Sequence, residues 1–173
     1  MAKSGRVYPQ INMLVFNGKY SSKVDDKNRF LMPAAIKKQM PDEKCEFMIC
    51  EGKDKNLCLF PLEVWKQKQE DLLKIGRNDK KVRLYLTLSL GGATEVGLDN
   101  AGRMLMPGHL KQYAGISKDI MITAELDRFI IWDTAYYNKF FEGKSIDEML
   151  AMMGGGSIDE LSDYIAEKYG III

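Results

Sequence analysis

The chain has 173 residues, enough apolar content for a substantial core and one histidine, a size that suits one domain or two intimately joined half-domains. Its net charge of +1 is unevenly divided: residues 1–90 carry 18 Lys and Arg against 11 Asp and Glu, whereas residues 91–173 carry 7 against 13. The polar start lacks an apolar leader core, no apolar run reaches membrane-spanning length, and three cysteines fit cytosolic thiols better than a disulfide framework.

Residues 1–16 read as an N-terminal arm whose apolar part, Ile11 to Phe16, can add a strand. Beyond it the chain is written twice. Asp25-Asp26-Lys27-Asn28-Arg29-Phe30-Leu31-Met32-Pro33 returns as Asp99-Asn100-Ala101-Gly102-Arg103-Met104-Leu105-Met106-Pro107, and Gly18, Ile36 and Lys37 return at the same interval as Gly92, Leu110 and Lys111. Two copies are too few for a solenoid, so the halves are expected to bury one shared core.

In the first copy, Tyr20 to Asp25 and Arg29 to Met32 are predicted strands joined by a tight turn. The turn demands a left-handed position, which Asn28 and its counterpart Gly102 can both take. Pro33 and Pro107 suit the first turn of short helices running to about Gln39 and Tyr113. Further strand pairs follow at Glu46 to Glu51 with Leu57 to Phe60, and at Asp119 to Ala124 with Phe129 to Trp132. Each unit is therefore strand, strand, helix, strand, strand.

Between the units, Pro61 to Ile75 has helical spacing, with Leu62, Trp65, Leu72 and Leu73 available to one face. Residues 82–90 are ambiguous: Val82, Leu84, Leu86, Leu88 and Leu90 alternate as in a strand, but Val82, Tyr85, Leu86 and Ser89 share a helical face behind Asn78 or Asp79 as a cap. In the tail, Lys144 to Met153 and Ser157 to Tyr169 are amphipathic and each opens with Ser-Ile-Asp-Glu, a helix-start signature. Ile171 to Ile173 form an apolar end that needs cover.

Catalytic chemistry has little to stand on. There is no nucleophile elbow, no phosphate loop around Gly91-Gly92 or Gly154-Gly155-Gly156, and no dinucleotide fingerprint. Cys45, Cys50, Cys58 and His109 could nominally ligate zinc, but their spacing fits no standard site, and buried apolar cysteines are the plainer reading. No cofactor and no metal are therefore expected, and His109 reads as a partly exposed helix residue.

The duplicated Asp-x-x-x-Arg is what remains to explain. A hairpin brings Asp25 to Arg29 and Asp99 to Arg103, where each carboxylate can accept turn N–H groups and pair with the arginine. Around the first hairpin, Lys19, Lys23, Lys27, Arg29, Lys37 and Lys38 oppose only Asp25 and Asp26, while the second copy is close to neutral. Only the first is dressed to meet phosphate. Lys23, Lys27, Asn28 and Arg29 are the main candidate DNA contacts, Arg103 a secondary one, and Asp25 and Asp99 the staples.

These two motifs, with the Leu-Met-Pro segments and the closing aromatics near Trp65 and Trp132, resemble the MraZ family of bacterial transcriptional regulators, built from two tandem SpoVT-AbrB half-domains. The resemblance covers roughly residues 17–140, and it decides residues 82–90 for helix. It implies an α+β, mainly β fold: a swapped-hairpin β-barrel made by half-domains 17–64 and 91–137, with a helical linker at 65–90 and a C-terminal helical extension at 138–173. It also implies a cytoplasmic, nucleoid-associated homo-oligomer, a closed ring that represses the division and cell-wall gene cluster by binding direct repeats in double-stranded DNA, with no membrane or small-molecule partner. Asn28 stands where the family's first motif usually has Gly, and the arm and the tail beyond Glu142 are longer than usual. The rivals are a ring-forming protein-interaction scaffold with only non-specific DNA affinity and an AbrB-like antitoxin.

Overall fold

A computed structural model describes residues 6–8, 13–41, 44–141, 143–152, 154 and 156–169. The chain forms two compact units, Met1–Thr134 and Ala135–Ile173. The terminal isoleucines, and Ile11 and Asn12 at the start of the apolar part of the arm, lie outside the described residues.

The first unit opens with β1 (Arg6–Tyr8) and β2 (Met13–Val15), which pair antiparallel with each other. The first repeat then supplies β3 (Lys19–Lys23), β4 (Arg29–Leu31), α1 (Ala34–Gln39), β5 (Phe47–Glu51) and β6 (Leu57–Pro61). After α2 (Leu62–Leu73) and α3 (Lys80–Gly91), the second repeat supplies β7 (Thr94–Val96), β8 (Arg103–Leu105), α4 (Gly108–Tyr113), β9 (Asp119–Glu125) and β10 (Arg128–Asp133).

The repeats interleave. The main sheet runs β3-β9-β10-β6-β5-β7, and a separate ribbon pairs β4 with β8, so both sheets mix strands from the two halves. Every pairing is antiparallel. A pseudo-two-fold relation follows from the register, since Tyr20 opposes Ile122 just as its counterpart Thr94 opposes Ile49. The fold is thus mixed α/β and mostly antiparallel; the main sheet is open, with β3 and β7 as edges, and no barrel closure is present among the described residues.

The core is paired in the same way. Phe30 and Met104, Met32 and Met106, Ile36 and Leu110, and Phe47 and Ile120 are all almost fully buried in one cluster. Burying matched apolar positions from both halves against each other is the main stabilising contribution, at about 25 cal/mol per Å² of apolar surface. The arm adds to this core: Phe16 donates its N–H to the Leu126 carbonyl at 2.7 Å and lays its ring on Phe129, with centroids 4.7 Å apart.

Two local expectations are corrected and one is met. Pro33 and Pro107 are the caps rather than the first helical residues, with ψ of 133° and 135°, because the strand enters each helix through an extended residue. Residues 80–91 are helical, as expected from the resemblance and the candidate cap: Asp79 accepts from the Lys81 and Val82 N–H groups at 2.6 and 3.4 Å, which commits the backbone to a helix start. The face expected of Pro61 to Ile75 is buried only at Trp65, while Leu73 is 68% exposed, because α2 meets the sheet mainly through its first turn.

The second unit contains α5 residues beyond Thr134, from the helix Thr134–Phe141, then α6 (Ile146–Met152) and α7 (Ile158–Tyr169). Both capping boxes are formed: Ser145 and Glu148 exchange hydrogen bonds at 2.6 and 3.1 Å, as do Ser157 and Glu160 at 3.1 and 3.3 Å. Among the described residues, no helix is long and apolar enough to cross a membrane.

Candidate nucleic-acid interface

Each Asp-x-x-x-Arg segment is a self-contained staple. Asp25 Oδ1 accepts the Lys27 and Arg29 N–H groups at 2.9 and 2.8 Å, and Oδ2 accepts Arg29 Nε and Nη2 at 3.0 and 2.9 Å. Asp99 repeats this with Ala101 N, Arg103 N and Arg103 Nε, all at 2.9 Å. The Arg29 N–H in one hairpin and the Arg103 N–H in the other are the chief causes holding each carboxyl below its ordinary pKa, and the guanidinium adds to this. One carboxylate therefore fixes the turn and aims an arginine.

At the turn itself Asn28 adopts φ 59° and Gly102 φ 76°, the left-handed position both residues tolerate. The two turns then reach across the pseudo-axis. Met32 N donates to the Gly102 carbonyl at 3.0 Å, and Met106 N donates to the Asn28 carbonyl at 2.8 Å. Lys111, on α4 of the second half, donates to Asn28 Oδ1 at 3.0 Å. Its counterpart Lys37, on α1, brings Nζ within 3.1 Å of where a Gly102 Cβ would stand.

The consequence is that the two motifs are one surface. In the β4–β8 ribbon Arg29 opposes Leu105, Leu31 opposes Arg103, and the central pair Phe30 and Met104 is buried. Alternation therefore puts Arg29, Leu31, Arg103 and Leu105 on the outer face, where each leucine is 56% exposed. Lys27 is exposed on the turn. Lys23 stands at the end of β3 beside Asp119, 3.6 Å away and well exposed.

The sequence-named residues Asp25, Lys27, Asn28, Arg29, Asp99 and Arg103 are thus brought onto one ribbon and its turns, with Lys23 at the neighbouring sheet edge. Lys111 was missed as a site residue, and Lys37, counted with the first hairpin's cations, stands instead at the second turn beside Gly102. The signal for them was present, because they match each other at the repeat interval, but nothing in one half's spacing says that its lysine caps the other half's turn. His109 lies on α4 with Nε2 3.1 Å from the Gly92 carbonyl, away from this ribbon's pairing. Among the described residues no group of three or more His, Cys, Asp or Glu side chains could hold a metal ion.

Two interleaved copies of one unit, presenting paired, aspartate-held arginines on the outer face of a shared ribbon, define a duplicated α/β recognition protein. Comparison with known proteins makes this specific. The family model described as "MraZ protein, putative antitoxin-like" matches residues 89–151. A transcriptional regulator MraZ of Acetivibrio thermocellus is 31% identical over 145 residues, covering 81% of this chain and 99% of that protein. Those of Clostridium tetani and Clostridium beijerinckii are 30% and 34% identical, covering 79% and 74% of this chain and 94% and 88% of theirs. The chain belongs to the MraZ family.

Proposed function

We propose that the chain is a sequence-specific DNA-binding transcriptional repressor of the division and cell-wall gene cluster, acting on direct repeats upstream of its own operon. The observation that carries this is the ribbon: two guanidinium groups from separate halves share its outer face, and Lys27 and Lys111 flank the first turn. Lysine and arginine around a protruding turn supply phosphate contacts, while an aimed arginine with unspent N–H donors can read guanine edges. Lys23, Lys27, Asn28 and Arg29 are the main contacts, with Arg103 secondary; Asn28 would offer its NH₂ group, since Lys111 already holds its Oδ1. The transcriptional regulators among its relatives support the reading, and no cofactor enters it.

In this reading the interleaved half-domains 17–64 and 91–137 act as one swapped-hairpin unit of AbrB type, and these units assemble head to tail into a cytoplasmic, nucleoid-associated ring. The basic first half and acidic second half favour such contacts, and exposed Leu84 and Leu88 on α3 offer apolar area that surface ion pairs alone would not. Heads related by rotation point the same way, so they match direct repeats, and several tethered heads bind tightly through effective concentration.

The test is a fluorescence-anisotropy titration against duplex DNA from upstream of the chain's own operon and a scrambled duplex, at low and moderate salt. Preference for the upstream duplex that survives moderate salt supports the repressor. Equal binding erased by salt refutes sequence specificity and turns the search to protein partners, the scaffold or antitoxin reading that the family's description keeps in view.

A further inference from the structure

We propose that Cys50 and Cys58 form a redox-sensitive dithiol that a hydroperoxide converts into a cross-strand disulfide. The two residues oppose each other directly in the β5–β6 pairing. Gly52 N donates to the Asn56 carbonyl and Leu62 N to the Glu46 carbonyl at the two ends of the hairpin, which makes Cys50 and Cys58 a hydrogen-bonded pair. Such pairs have Cα atoms about 5.5 Å apart, inside the range a disulfide spans.

Both side chains lie on the sheet face that carries Phe60 and Trp65, whereas Cys45 belongs to the main core cluster. The thiols contact each other, and the charges of Arg128 and Lys68 act on both. Arg128 is held there by Asp127 at 2.8 Å and by stacking 4.6 Å from the Phe60 ring centroid. The hydrogen bond from Cys50, together with those cations, lowers the Cys58 pKa, while the same bond and burial raise that of Cys50. Cys58 is also the more exposed of the two. The more readily ionised thiol, Cys58, and a thiol placed to resolve it, Cys50, therefore stand face to face.

The chemistry balances without a cofactor. The Cys58 thiolate attacks a peroxide oxygen, the O–O bond breaks, and the released hydroxide takes a proton to leave as water. The Cys50 sulfur, on losing its proton, attacks the Cys58 sulfenic acid; the S–S bond forms, the S–O bond breaks, and a second water leaves. The two thiols lose two electrons and hydrogen peroxide gains them. The loop closed is short, so the bond restrains the unfolded chain less than a long-range bridge would, and thiol–disulfide exchange with excess reductant reverses it.

The test treats the full chain with hydrogen peroxide under native conditions, then alkylates in denaturant and maps the peptides by mass. The expected product is lighter by two hydrogen atoms, links Cys50 to Cys58, leaves Cys45 alkylated, and reverts with dithiothreitol. In Cys50→Ser, dimedone should trap a sulfenic acid on Cys58; in Cys58→Ser, Cys50 should stay a thiol. Full alkylation of Cys50 and Cys58 after oxidation, or a link through Cys45, overturns the proposal.

Discussion

Lys111 Nζ lies 3.0 Å from Asn28 Oδ1, so a helix of the second half holds the turn of the first half's hairpin. The residue that replaces glycine in that turn is thus tied to the other repeat by its side chain as well as by its backbone carbonyl, which accepts the Met106 N–H.

Removing that side chain separates the two roles. Asn28→Ala should destabilise the chain by about 1–2 kcal/mol, because alanine carries the full cost of the left-handed backbone. Asn28→Gly should cost less, relieving the backbone while losing the Lys111 bond. Urea denaturation, read as a shifted midpoint at constant slope, checks the order of the two variants.

Arg29→Ala should weaken DNA binding more than Arg103→Ala, since lysines crowd the first turn. Both arginines also hold their hairpins, so Lys27→Ala, which leaves the Asp25–Arg29 pair in place, is the cleaner probe. It should weaken binding to all duplexes alike and reduce the salt slope by about 1. Equal losses for Arg29→Ala and Arg103→Ala in folded protein would refute the asymmetry.

Acid should loosen both hairpins together. Asp25 and Asp99 have folded pKa values below the ordinary carboxyl value, so the stability they contribute is complete above about 3.9 and is lost as pH falls through the lowered folded values. NMR titration of the two carboxyl carbons should give midpoints below 3.9, and Asp25→Asn with Asp99→Asn should flatten this part of the stability profile.

Trp65 anchors α2 on the sheet, its ring centroid 5.3 Å from that of Phe60, and its buried Nε1 has no hydrogen-bond partner among the described residues. Trp65→Ala should cost about 3–5 kcal/mol through the cavity it leaves. Trp65→Phe should cost much less, because it keeps an aromatic ring and removes an unpaired donor. Thermal or urea unfolding of the two variants distinguishes them.

What local chemistry can specify was legible in the residues themselves. Four-residue spacing puts a carboxylate beside an arginine across a tight turn, Asn28 and Gly102 mark a left-handed position, and Ser-Ile-Asp-Glu forms its capping box from its own atoms. Residues 80–91 show the limit: alternating leucines suit either element, and the Asp79 cap tips the balance through backbone bonds that hydrophobic patterning does not report.

The sequence by itself determined the duplication, the order of elements in each unit, the two Asp–Arg staples and the resemblance to a family. Only the tertiary structure decided that β3 pairs with β9 rather than within its own half, that Leu31 and Arg103 stand opposite each other, and that Lys111 reaches Asn28. The physical reason is that turns and caps are closed by neighbours a few residues apart, whereas the choice of strand partner depends on burying matched apolar faces from both halves at once, and that energy belongs to no single stretch of chain.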